Sequence, residues 1–210
     1  MRFAIFAATL SIILVGCAGK VDYVHPIKPT ASSNMKIVNT PRSDVWDSAV
    51  PELGKRFFVI NNLDKSSGLI NISYTGDPER YIDCGRITSF VENMAGARHY
   101  EFAAAKAQQI YEVLSNGLWS IDRRMNLEGR INLIFEETSQ SSTRVSANIK
   151  YIVTRSVTTR NVADNIPHSF TDSISFNSGG NSSFPADREG RATECFATGK
   201  LEQEILLAVK

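Results

Sequence analysis

The clearest pattern along the chain is an alternation of apolar and polar positions over residues 123–137 and again over 143–159. Met125, Leu127, Gly129, Ile131, Leu133 and Phe135 share one parity. Asn126, Glu128, Arg130, Asn132 and Glu136 share the other, with Ile134 the one apolar exception. After residues 138–142 the alternation resumes, with Val145, Ala147, Ile149, Tyr151 and Val153 set against Arg144, Ser146, Asn148 and Lys150. A sustained period of two predicts paired antiparallel strands, a long hairpin with one dry and one wet face.

Shorter signals flank the hairpin. Residues 34–39 suit a short strand. Thr40-Pro41 has the form of a helix start, with Thr as N-cap and Pro at the first helical position. Val45, Ala49 and Leu53 then fall on one helical face with Trp46 and Val50 beside them, and Pro51 is expected to kink or shorten the helix. Phe57 to Asn61 and Leu69 to Tyr74 read as strands joined by a turn at Asp64 to Gly68, where Gly68 suits a positive φ. Residues 76–117 read as an irregular insert. Within it the alanine-rich 101–108 favours helix by residue type and 109–114 favours strand. Phe170, Ile174 and Phe176 indicate a further strand, 177–190 a Gly/Ser loop, 192–198 a last strand, and 201–209 a closing amphipathic helix with Leu201, Ile205 and Ala208 inward. A one-faced sheet needs cover, and the two helices are the available cover. The expectation is an α+β, helix-grip-like domain: an antiparallel sheet covered on one face by an N-terminal and a C-terminal helix.

The chain begins with Arg2 and an apolar run from Phe3 to Val15, the length of a secretory signal and too short to span a bilayer comfortably. Leu14-Val15-Gly16-Cys17 resembles the lipobox of bacterial lipoproteins. The resemblance implies cleavage before Cys17 and acylation of its sulfur and its new amine, and two or more fatty chains hold a protein stably to a membrane. The absence of Asp beside Cys17 implies, by analogy, the outer membrane, with the domain facing the periplasm. The expected organisation is a signal peptide at 1–16, a lipidated, proline-containing tether at 17–33, and one domain over 34–210.

Composition narrows the function. The 210 residues carry 23 Lys+Arg and 22 Asp+Glu, a net charge of +1. Such balance argues against nucleic acid as a partner. Cys84 and Cys195 remain once Cys17 is assigned to lipid, and an even pair in an oxidising compartment predicts a disulfide, two buried thiols being the alternative. His25, His99 and His168 share no metal-ligand spacing, no GxSxG surrounds a serine, and Ser178–Ser183 lacks the Lys-Ser/Thr pair of a phosphate loop. The carboxylate pairs Glu136-Glu137 and Glu202/Glu204 read as solvated. Arg123, Arg124, Arg130, Arg144, Lys150 and Arg155 read as a wet-face stripe neutralised by Glu128 and Glu136. Trp46 and Trp119 read as core aromatics, with Trp119 a possible interface anchor. No catalytic residue, metal or cofactor is expected.

The segment 44–74 resembles outer-membrane lipoproteins of the BamC (NlpB) type, in Val45-Trp46 opening a helix, a strand at Phe58 to Ile60, Asp64 and Gly68 in the turn, and Ile70 or Ile72 in the next strand. The resemblance covers about 30 residues, and it implies a helix-grip domain and an accessory role in an envelope machine. The functional expectation is a non-enzymatic, lipid-anchored binding or scaffold subunit with a protein partner in the envelope. The alternatives are a small apolar-ligand or lipid-binding lipoprotein and, more remotely, a cell-wall enzyme.

Overall fold

The structure, a computed structural model, describes residues 18–30, 32–56, 58–186 and 192–210. The lipobox Cys17 lies outside the described residues. Strand dominates: 59% of the described residues are β and 11% helical. The α+β helix-grip expectation is therefore corrected to a mostly-β architecture of several antiparallel sheets.

The long hairpin is the spine. Strand β9 (Leu118–Ser139) pairs with β10 (Ser142–Asn161) over almost their whole length, with Gln140 and Ser141 at the tip. Each long strand carries two shorter neighbours end to end on its outer side. β8 (Gln108–Leu114) and β4 (Leu69–Gly76) pair with successive parts of β9. β2 (Met35–Val38) and β11 (Pro167–Asn177) pair with successive parts of β10. β3 (Val59–Asp64) extends the sheet beyond β4. The predicted dry parity is buried without exception from Met125 to Phe135 and from Val145 to Val153.

Two short helices rest on part of that dry face. In α1 (Arg42–Gly54), Val45, Trp46, Ala49 and Leu53 are buried, and the Trp46 ring meets Phe135 edge-on at 5.2 Å. The helix starts one residue later than predicted: Pro41 is the N-cap, and its carbonyl accepts from the amides of Asp44 and Val45. The Thr40 carbonyl instead accepts from the buried Thr143 hydroxyl at 2.8 Å. Pro51 sits inside the helix, which continues to Gly54. The closing helix α2 (Lys200–Leu206) is only seven residues long. It lies over Gly129, where a Cβ would stand 3.2 Å from Leu201 Cδ2, so the missing side chain permits the close approach.

The remaining cover is sheet, and it comes from regions read as irregular. Ala18–Val24, assigned to the tether, is β1, paired along its length with β6 (Arg86–Asn93), which also pairs with β7 (Gly96–Ala103). Residues 101–108 are not helical: β7 runs to Ala103 and a tight turn follows, with Ala104 and Ala105 buried. Here tertiary context overrides helix propensity, because the methyl side chains fit a packed turn between two strands. The strand expected at 109–114 is present as β8. A third small sheet, β12 (Asn181–Ser183), β13 (Glu194–Ala197) and β5 (Ile82–Asp83), places Cys195 against Cys84. Their sulfurs are bonded, both residues fully buried, so the expected disulfide is present.

The turn between β3 and β4 is held as the sequence suggests. Gly68 has φ +70°, and a Cβ there would lie 2.4 Å from the Phe135 carbonyl. The Asp64 carboxylate accepts from the Ser66 hydroxyl at 2.6 Å and from the amides of Ser66 and Ser67. Chiefly through the serine hydroxyls, these bonds pull its pKa down to about 2 from 3.8. The stabilisation is therefore complete above the ordinary value and disappears as pH falls through about 2. A ¹³C titration of this carboxyl should show a midpoint near 2; a midpoint near the ordinary Asp value would show that the serines do not hold it.

Candidate functional site

Three polar features stand out from the packing. The first is the exposed face of the main sheet. Asn62, Asn71, Asn132 and Asn148 form a row across β3, β4, β9 and β10, which Asn34 extends just before β2. The amides of Asn71 and Asn132 bond at 2.6 Å, and those of Asn34 and Asn148 at 3.0 Å. Between β10 and β11 the hydroxyls pair rung by rung: Thr154 with Ser173, Ser156 with Thr171, and Thr158 with Ser169. Ion pairs flank these rows, Arg130 with Glu128 and Arg144 with Glu136, as expected for cross-compensated charge. The face is thus largely neutral and rich in donors and acceptors.

The second feature corrects the predicted basic stripe. Arg124, Arg130 and Lys150 are exposed and Arg144 is half-buried, but Arg123 and Arg155 have the parity of Met125 and Val153 and point into the dry side. Arg155 forms a two-pronged ion pair with Asp172, largely out of solvent, and lies over the Phe184 ring at 4.5 Å. Arg123 is 4% exposed, and neither terminal guanidinium nitrogen has a hydrogen-bond partner. Burial pushes its pKa down to about 10. The signal was available in the sequence, because parity alone places both arginines beside apolar neighbours.

The third feature is a recess of about 220 Å³ at the start of α2. It exists because β10 changes neighbours there. β2 ends its pairing at Ser146 and β11 begins at Lys150. The intervening backbone is bridged by Asn34, whose carbonyl accepts from the Ala147 amide, and by Ser178, whose hydroxyl accepts from the Ile149 amide at 2.9 Å. Both residues line the recess, with Lys28, Thr30, Ser32, Phe196 and Glu202. Glu202 was read as solvated, yet it is 2% exposed. Its Oε2 accepts from the Tyr151 hydroxyl at 2.7 Å, while its Oε1 has no hydrogen-bond partner. Burial first, and then this carboxylate, push the Tyr151 pKa far above its ordinary value, so the phenol stays protonated as the donor. Glu204 is the contrasting case: Arg80 and the Tyr81 hydroxyl occupy both its oxygens at the surface. The missed sign for Glu202 was Leu206 and Val209, both buried and four and seven positions further on, which place it on an inward row.

The other candidates are dispersed. His25 stacks edge-on against Tyr23, while His99 and His168 are exposed. Among the described residues no group of three His, Cys, Asp or Glu side chains could hold a metal ion. Glu136 and Glu137 are exposed. Trp119 is half-buried at the β8–β9 turn, and its Nε1 donates to the Ser115 carbonyl at 3.0 Å, so its polar edge serves the turn. Comparison with family models, with curated proteins and with solved structures finds no match.

Proposed function

We propose that this chain is a lipid-anchored protein of the bacterial cell envelope, fixed through Cys17 to the outer membrane and facing the periplasm, where its domain acts as a binding or scaffold subunit. The observation that carries the reading is the buried Cys84–Cys195 bridge. Such a bond is a feature of oxidising compartments, and it occurs on a chain whose first seventeen residues resemble a lipoprotein signal. The wide neutral face of amides and hydroxyls supports a contact role, since it offers hydrogen bonding without a field that would select partners by charge. The apolar-ligand reading draws less support. Trp46, Phe135, Tyr151 and Phe176 belong to one continuous core between sheet and helices, and the recess described above has a buried carboxylate, Glu202, in its lining.

The test is made on the full chain expressed in a bacterial host. Radiolabelled palmitate should enter the wild type and not Cys17→Ser, and mass spectrometry should find a blocked, triacylated amino end. An unmodified amino end would overturn the anchor. Native mass measurement of the detergent-solubilised envelope should place the chain in an assembly larger than itself; a lone monomer would overturn the scaffold role.

A further inference from the structure

We propose that the recess beside Glu202 binds a small free amino acid, with its ammonium on Glu202 and its carboxylate toward Lys28. The floor of the recess sets the demand. A carboxylate removed from water is costly unless paired, and Glu202 has one oxygen satisfied by Tyr151 and one satisfied by nothing. Among the described residues no cation forms an ion pair with it. The second oxygen therefore calls for a donor from outside the chain. An ammonium brings three N–H donors together with the compensating charge, which a neutral hydroxyl does not.

The rim narrows the choice. Lys28 lines the same recess from an exposed position and makes no ion pair among the described residues. One buried negative group and one exposed positive group in the same lining match a ligand that carries both charges better than a bare amine or a bare acid. The hydroxyls of Thr30 and Ser32 supply polar wall. Pro29 and Phe196 supply apolar surface for a short side chain. The size of the recess, about 220 Å³, suits a molecule of this class. The site is independent of the lipid anchor, so its failure would leave the proposed location untouched.

The full chain, purified in detergent, is titrated calorimetrically with L-alanine, ethylamine and propionate as separate probes. Saturable binding of L-alanine is expected, with ethylamine and propionate each at least about tenfold weaker, the worth of one charge-assisted contact. Glu202→Gln should weaken L-alanine at least about tenfold. Lys28→Glu, a change at an exposed position, should do the same while the circular dichroism spectrum stays that of the wild type. If Glu202→Gln fails to fold, Lys28→Glu decides. Absence of saturable binding by L-alanine, equal affinity for the three probes, or unchanged affinity in Lys28→Glu would each overturn the proposal.

Discussion

Replacing Cys84 and Cys195 together by alanine is expected to lower the stability of the folded chain by about 4–5 kcal/mol. The bond closes a loop spanning 111 positions and so confines the unfolded ensemble strongly. It also joins β13 to the residue after β5, two strands whose register is only two residue pairs. The measurement is urea unfolding of the oxidised wild type against the double variant. A difference below about 1 kcal/mol would mean that the reduced chain retains enough structure to make the cross-link redundant.

The second large effect has the opposite sign. Arg123→Met is expected to stabilise the protein by about 1–4 kcal/mol, the range seen when buried charge is exchanged for apolar volume. The guanidinium is nearly inaccessible and both terminal nitrogens lack partners. Its lowered pKa, caused first by burial, means that folding works against the cation at every pH below about 10, where it is charged. The Asp172 carboxylate offsets part of the cost, and the like charge of Arg155 adds to it. Methionine keeps much of the length and removes the charge. The check is the unfolding free energy of the two proteins at neutral pH. A variant less stable than the wild type would show that Arg123 has a net favourable role, for which the Asp172 carboxylate is the first suspect.

What could be read from the sequence follows from where local pattern and global packing agree. The β9–β10 hairpin was legible because one face is dry along its whole length, so the period of two is unbroken. The face of α1 was legible for the corresponding reason at helical spacing, and the disulfide from cysteine number and compartment. Residues 76–117 were opaque because their strands are short and partly exposed. Their alanines are placed by turn packing rather than by propensity. β1 was missed because its sequence carries little apolar periodicity, and its partner β6 supplies the order. The helix-grip assignment failed as a result: the uncounted strands took over much of the covering role given to two helices. Arg123 and Glu202 were obscured by residue type, since charged side chains are seldom buried, although parity and helical spacing place both inward.

The end-to-end neighbours of the two long strands bear on how the molecule resists parting. Along β9 the change from β8 to β4 falls at residues 125–126. Along β10 the change from β2 to β11 falls at 147–149, opposite residues 131–133 of β9. The two joints are offset by roughly six residues, about 20 Å, like the joints in successive courses of brickwork. No straight line of cleavage crosses the sheet, and a crack opening at either joint runs into an unbroken strand.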